Sequence, residues 1–426
     1  MGNDIKDIKK DYGSPRWSNE VLDCSMPMTF DTYSKCAYNC QYCFSFFQKS
    51  HCCHGYLGEL PRSVNPDKVI AMFQNILNGD FDKLNKSECQ FINYVSDRRI
   101  MQWGGLADEF DEWERRYGIT LELLKFFDSI DYPLSFSTKA AWFTEDDRYM
   151  DLIKKHTHNW HFKISIITND DKKSRAMEKG CPTSSERLKA IHNLAKNGIH
   201  VTLRLRPFII GLSDDYKELI TRAHEAGADS VTTEFFCMET RADEKLKARY
   251  AEISRIVGYD IYEFYKNNSV QNGYKRLNKG IKAPIIAKIR EHVHNLGMRF
   301  HVSDMYCREC NDAMNCCGVP PEWNNSQTGH IGNAILIAKE KGIVKFSDIA
   351  ADIYRYLGDF NMSAATGFNT HNSAKRAQYI GKSFADYVHI NWNNIKGETS
   401  PAKGYGGILV PCGKDENNDV VYCIKK

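Results

Sequence analysis

Between about residues 28 and 303, short runs rich in β-branched and aromatic residues alternate with stretches whose apolar residues recur every three or four positions. That is the pattern of repeated βα units on a parallel sheet. Residues 28–33 predict the first strand. Asn65-Pro66-Asp67 then opens a helix with an N-cap, a first-turn proline and an acid at the positive end; Val69, Ile70, Phe73, Ile76 and Leu77 repeat at helical spacing, and Gly79 closes it. Further strands are predicted at 100–104, 133–138, 162–167, 200–206 and 230–236, with 299–302 closing the series. One intervening helix starts near Thr120 with Leu121, Leu124 and Phe127 inward. Another follows the capping-box pair Thr183 and Glu186, carries Leu188, Ile191 and Leu194, and stops at Gly198; a third carries Leu219, Ile220 and Ala223 and stops at Gly227. In 162–167, Phe162, Ile164 and Ile166 alternate with Lys163 and Ser165, and in 200–206, Val201, Leu203 and Leu205 alternate with Thr202, Arg204 and Arg206.

The expected fold class is therefore α/β: a partial (β/α)6 TIM-like barrel, open at one side, with a Cys-rich loop and a C-terminal mainly helical appendage. The expected division is a barrel over 1–300, a Cys-rich segment over 301–330 and an α-rich appendage over 331–426. In the appendage, 333–341 and 345–357 predict two helices around Gly342, the second with Phe346, Ile349, Ile353 and Tyr354 as its apolar side. A helix-turn-helix and an ordinary helical hairpin both fit this pair. Lys375, Arg376, Tyr379, Lys382, Tyr387, Trp392 and Lys403 mix cations with aromatics, as single-strand binders do and as core aromatics beside solvated lysines also do.

The 426 residues are 42% hydrophobic and 26% charged, enough to bury a large core. No run of about 18 apolar residues occurs, and the N-terminus lacks the apolar stretch of a secretory signal, so no membrane association and a cytoplasmic location are expected. Fifteen cysteines, an odd number, then argue for metal ligation or reduced thiols over a disulfide framework. A net charge of +3 is too small to imply a polyanionic partner by itself.

The densest chemistry lies in Cys36-Ala37-Tyr38-Asn39-Cys40-Gln41-Tyr42-Cys43. The spacing C-x₃-C-x₂-C supplies three thiolates to a centre that takes four, and a [4Fe–4S] cluster held this way keeps one iron open to a small molecule. Zinc is the alternative, although its sites usually carry two C-x₂-C-like pairs, and the nearest extra donors are His51, Cys52, Cys53 and His54. The segment resembles the cluster loop of the radical S-adenosylmethionine (radical SAM) enzymes. The resemblance implies that Cys36, Cys40 and Cys43 bind the catalytic [4Fe–4S] cluster and that SAM chelates the open iron with Tyr42 against its adenine. An electron from an external flavodoxin- or ferredoxin-type donor then yields a 5′-deoxyadenosyl radical. Trp103-Gly104-Gly105 resembles the glycine pair that meets the methionyl amine through backbone carbonyls. Ser137-Thr138-Lys139 ends the next strand, where Lys139 is placed to pair with the methionyl carboxylate, and Ser165 is placed for the ribose. Arg204 and Arg206 share the lumen-facing side of their strand; a buried arginine without an anion costs several kcal/mol, so a carboxylate or phosphate is expected nearby, from a ligand or from an internal partner such as Glu234.

A narrower resemblance covers residues 100 to 215. Gly104-Gly105-Leu106-Ala107-Asp108-Glu109-Phe110, the Ser137-Thr138-Lys139 strand end, Glu178-Lys179-Gly180-Cys181-Pro182 before Glu186-Arg187-Leu188, and Arg206-Pro207-Phe208-Ile209-Ile210-Gly211-Leu212 resemble the spore photoproduct lyase-like branch. That lyase repairs a thymine dimer in DNA with a hydrogen-donating cysteine near the second strand, where this chain has Trp103, Gly104 and Gly105, which counts against dimer repair. The resemblance implies hydrogen abstraction from a nucleic-acid base, with DNA or RNA as partner. A peptide or small metabolite as substrate, and a metal-stabilised nucleic-acid-binding protein without catalysis, are the alternatives. Cys307, Cys310, Cys316 and Cys317 lie within eleven positions and suit a second Fe–S cluster, a zinc ion, redox thiols or unligated buried cysteines.

Overall fold

The computed structural model describes residues 8–18, 23–45, 60–239, 244–269, 275–323, 329–358, 382–397 and 400–425. His51, Cys52, Cys53, His54, Lys375, Arg376 and Tyr379 lie outside these. The chain divides into two compact units: Met1–Arg16, Thr29–Ile70 and Gln102–Phe300 form the first, and Trp17–Met28, Ala71–Met101 and His301–Lys426 form the second. In chain order the strands are β1 (Arg16–Trp17), β2 (Met28–Phe30), β3 (Asn39–Cys40), β4 (Met101–Trp103), β5 (Leu134–Thr138), β6 (Trp160–Ser165), β7 (Glu178–Lys179), β8 (His200–Phe208), β9 (Ser230–Phe235), β10 (Arg299–Val302), β11 (Ile343–Val344), β12 (Leu409–Lys414) and β13 (Val420–Ile424).

The largest sheet has the order β1-β2-β4-β5-β6-β8-β9-β10, and the pairs β2–β4, β5–β6, β6–β8 and β8–β9 run parallel. The seven strands expected from period-two patterning are all in it; β1 is too short for alternation to reveal. Period two also decides what each face carries. Phe136 and Phe162 stack at 4.5 Å on one side, joined by Trp103 at 5.5 Å from Phe136, with Phe110 and Phe143 stacked at 4.2 Å beyond them. Leu121, Leu124 and Phe127 of the helix Ile119–Ser129 are buried as their spacing predicts. The residues between the aromatics form a buried polar row across four strands: Ser135 Oγ to His161 Nδ1 at 3.1 Å, His161 Nε2 to Thr202 Oγ1 at 2.7 Å, and Thr202 Oγ1 to Ser230 Oγ at 2.7 Å. Each of these groups finds a partner in its neighbour, which removes most of the cost of burying it. The helix Ser184–Ala195 starts with the expected reciprocal cap, in which the Glu186 N–H donates to Thr183 and the Thr183 N–H donates back to the Glu186 carboxylate at 2.6 Å.

In the second unit, the helices Ile331–Lys341 and Ser347–Leu357 lie where periodicity puts them, and they are not all that forms. A three-stranded antiparallel sheet, β11-β13-β12, accompanies them, with Ile343 opposite Cys423 and Leu409 opposite Ile424. The Leu409–Lys414 and Val420–Ile424 runs are β-rich and flank an Asp/Asn turn in which Asn418 has φ 65°. The link between the two helices is likewise strand β11, paired with β13, in place of a helix-turn-helix turn. Tyr354, expected inward, is exposed, whereas Tyr387 and Trp392, counted above toward a nucleic-acid face, are buried. Trp392 donates its Nε1–H to the Val420 carbonyl at 2.7 Å and packs edge-on to Tyr422, as a core residue does. Among the described residues no helix is long and apolar enough to cross a membrane.

Candidate functional site

The cysteine loop begins just after β2, at the C-terminal strand ends where loops of parallel α/β sheets converge. Its backbone is tied at several points. The Ala37 N–H donates to Asp111 Oδ2 at 2.5 Å, the Gln41 N–H to the Met177 carbonyl at 2.9 Å, and β3 pairs antiparallel with β7 so that Cys40 faces Glu178. Arg249 adds bonds to the Cys40 carbonyl at 2.7 Å and to Asn39 Oδ1 at 2.6 Å. Cys40 is buried; Cys36 and Cys43 are partly exposed.

Charge gathers around this loop. The Tyr42 hydroxyl donates to Glu178, and Glu178 forms a fully buried ion pair with Arg187 at 2.5 Å. Lys139, at the end of β5, holds its Nζ 5.7 Å from the centre of the Tyr42 ring. Burial opposes its charge, yet the neighbouring Cys40, Glu178 and Cys181 hold the ammonium above the usual lysine value. Burial also opposes ionisation of Glu178, but Arg187 and Lys139 win and keep its carboxyl below the usual range. Cys36 behaves oppositely to Cys40: burial and the carboxylates Asp111 and Asp108 push its thiol up, while a hydrogen bond from Cys181, aided by Lys139, lowers that of Cys40.

Buried carboxylates position the surrounding loops. Asp108 accepts from Thr138 Oγ1 and from the Lys139 N–H, both at 2.6 Å, which fixes the turn that presents Lys139. Asp31 accepts the Leu106 and Ala107 N–H groups at 2.6 and 3.0 Å and pairs with Arg16. Glu114 takes four donors: the hydroxyls of Tyr33 and Tyr149 and the backbone N–H groups of Thr120 and Leu121. Burial and the nearby Asp108 raise Asp111 to about 8. Sequence reasoning gave none of these carboxylates this role; Asp108 and Glu109 were quoted only within a motif, and the acid-rich stretch from Asp108 to Glu114 was the available signal.

The sequence-predicted residues are only partly brought together. Gly104 has φ 90°, and a Cβ there would sit 2.4 Å from the Ser137 carbonyl oxygen, so glycine is required by the neighbouring strand end as well as by any ligand. Gly105 follows it, and Ser137 supplies that carbonyl. Ser165 accepts a hydrogen bond from Arg204 Nη1 at 3.2 Å, so the two act as one polar pair across β6 and β8. Arg206 pairs with Glu234, so its expected anion is internal. Cys181 has its Sγ 3.7 Å from Cys40 Sγ.

In the second unit Cys307 is buried in the turn Met305–Cys310, and Cys316 and Cys317, 4.0 Å apart at sulfur, pack in an apolar cluster with Met26, Ile100 and Val319, bordered by Cys24 and Trp323. Beside them Arg308 binds Asp23 Oδ2 at 2.5 Å and Tyr405 donates to Asp23 Oδ1 at 2.7 Å. Among the described residues, the group with three or more His, Cys, Asp or Glu ligand atoms mutually within 4.8 Å is Asp131, His156 and His158. Those side chains already hydrogen-bond one another, with His156 also held by Asp128 at 2.9 Å.

No protein-family model matches the chain. Uncharacterised proteins of Mycobacterium bovis and Mycobacterium tuberculosis are each 23% identical to it over 278 residues, which is 62% of this chain and 74% of theirs. Among solved structures, a spore photoproduct lyase double mutant with bound AdoMet and dinucleoside spore photoproduct gives a TM-score of 0.49 at 16% identity, over 67% of this chain and 78% of that one. The lyase complexed with dinucleoside spore photoproduct gives 0.49 at 17%, over 68% and 79%. Streptococcus suis SuiB bound to precursor peptide SuiA gives 0.39 at 12%, over 66% and 49%.

Proposed function

We propose that this chain is a radical SAM enzyme with a partial-barrel catalytic unit, acting on a nucleic-acid base. The observation that carries the class is the C-x₃-C-x₂-C loop at the end of β2, strapped to β7, with Lys139 and Tyr42 stacked beside its buried Cys40. The donor set fits a [4Fe–4S] cluster: three cysteines on one loop at C-x₃-C-x₂-C spacing, next to a cation suited to a carboxylate. Cys36, Cys40 and Cys43 would hold the cluster, and Gly104, Gly105, Lys139, Tyr42, Ser137, Ser165 and Arg204 would surround SAM. The cluster supplies the electron that cleaves the sulfonium of SAM, and SAM supplies the hydrogen-abstracting radical.

The chain's own residues bind and orient. Asp108 fixes the backbone of Lys139, so the ammonium is presented for the methionyl carboxylate as a point charge. Glu178, anchored by Arg187, fixes the Tyr42 hydroxyl and with it the plane of the ring proposed to meet the adenine. Asp111 holds the Ala37 backbone within the loop, and Asp31 holds the backbone of Leu106 and Ala107. The nucleic-acid part rests on the motif resemblance and on Arg204; Arg206, Tyr387 and Trp392 no longer support it, being engaged with Glu234 or in the core. An external flavodoxin- or ferredoxin-type donor completes the proposal. The apolar packing of Cys316 and Cys317 favours unligated buried thiols there.

Anaerobic reconstitution followed by SAM and dithionite tests the class: cluster absorbance and 5′-deoxyadenosine are expected, and the absence of both refutes it. Labelled single- and double-stranded DNA and RNA, titrated at two salt concentrations, test the substrate. Binding that weakens steeply with salt is expected; no binding at low salt moves the substrate to a peptide or metabolite.

A further inference from the structure

We propose that Cys181 is a positioning residue for the cluster: its thiol donates an S–H···S hydrogen bond to the sulfur of Cys40 and so raises the reduction potential of the centre. The inference rests on the functional reading above and concerns a cysteine outside the C-x₃-C-x₂-C motif. The two sulfurs are 3.7 Å apart, within reach of a thiol donor and a sulfur acceptor.

The contact is built into the backbone. Strand β7 registers Glu178 against Cys40 and Lys179 against Asn39. The chain then turns through Gly180 at φ 85°, where a side chain would be strained, and the Cys181 N–H closes the turn on the Glu178 carbonyl at 3.0 Å. Arg187 clamps both sides of Cys181. Its Nη2 binds the Glu178 carboxylate at 2.5 Å and its Nε donates to the Pro182 carbonyl at 3.0 Å. The helix bearing Arg187 is itself anchored by the Thr183–Glu186 cap. Cys181 is thus delivered to Cys40 by two strands, a glycine turn and a buried guanidinium.

An ordinary thiol keeps its proton at neutral pH, whereas a cysteine that binds iron does so as the thiolate. The proton on this pair therefore belongs to Cys181, and Cys40 is the acceptor. Hydrogen bonds to ligating sulfurs are one of the levers that set Fe–S potentials, because they stabilise the more negative, reduced state. In an enzyme whose cluster must be reduced before it can act, such a donor eases the first electron transfer.

The test is an EPR-monitored redox titration of the reconstituted full-length wild type, Cys181→Ala and Cys181→Ser, with iron and sulfide analysis of each. The expected result is equal iron content in all three, a midpoint potential shifted negative in Cys181→Ala, and recovery toward wild type in Cys181→Ser, whose hydroxyl is still a donor. An unchanged midpoint in Cys181→Ala overturns the proposal. Loss of iron in that variant also overturns it, because Cys181 would then be a ligand. If these fail while the wild type still makes 5′-deoxyadenosine, the functional reading survives; a wild type that takes up no iron overturns both.

Discussion

The cysteines of the first unit and those of the second share one feature, a buried ion pair close by, and differ in how apolar the rest of their surroundings is. Around Cys40 lie an ammonium, a guanidinium and a carboxylate, each with a named partner, and the backbone is tied to buried acids. Around Cys316 and Cys317 lie Met26, Ile100 and Val319, with the Asp23–Arg308 pair to one side. Sequence spacing treats both groups as candidate ligand sets. The surroundings differ in degree: charged groups border the Cys40 loop on several sides, whereas Cys316 and Cys317 pack in an apolar cluster with the Asp23–Arg308 pair beside Cys316.

The sharpest way to break this contrast is Cys40→Ala, which should abolish cluster absorbance and 5′-deoxyadenosine formation while far-UV circular dichroism stays near wild type. Retention of both signals would remove the first unit's loop from the chemistry altogether. Next in size is Glu178→Leu, which strands the Arg187 charge in the interior; urea denaturation should show a loss of about 3–5 kcal/mol. The double variant Glu178→Leu/Arg187→Met should recover most of that stability, yet leave Tyr42 without its acceptor.

A pH effect belongs to the second unit. His330 caps the helix Ile331–Lys341, accepting the Asn333 N–H at its Nδ1, and burial together with the Arg308 charge pushes its imidazole down to about 3. The unfolded chain takes up this proton below about pH 6.5 while the folded chain does not, so stability falls as the pH drops from 6.5 toward 3 and is unaffected above it. At pH 5 the loss should be about 2 kcal/mol, and His330→Asn, which can still cap but cannot titrate, should lack that component when denaturation is compared at pH 7.5 and 5. The smallest effect expected is that of Cys316→Ala: a cost on the order of 1 kcal/mol for lost packing, with iron per chain unchanged. A drop in iron would restore the second group as a metal site and erase the contrast.

Strand positions in the first unit were readable because β-rich runs alternate with helical periodicity, most clearly in 162–167 and 200–206, where apolar and polar residues take turns. Strand β1 and the β3–β7 pair were not, being two residues each and meaningful only through their partners. The hairpin β12–β13 carried a local signal that helical expectations for the tail obscured. In the site, Cys36, Cys40 and Cys43 were named from spacing, Lys139 from a strand end and Tyr42 from the resemblance of the loop. The carboxylates that hold them were missed, because a residue such as Asp31 acquires its role only when the Leu106 and Ala107 N–H groups, 75 and 76 positions away, come within hydrogen-bond reach.

By itself, the sequence determined the seven β-rich runs of the largest sheet, the alternation in 162–167 and 200–206, and that three thiols share one short loop; these depend on neighbours a few residues apart, where periodicity and turn chemistry act. Only the tertiary structure decided the partners. It gave Arg206 to Glu234 and Glu178 to Arg187, placed Trp392 in a core, and set Cys181 against Cys40 across 141 positions. Pairing of charges and sulfurs depends on distance in space and on burial, and neither is encoded in the spacing of residues along the chain.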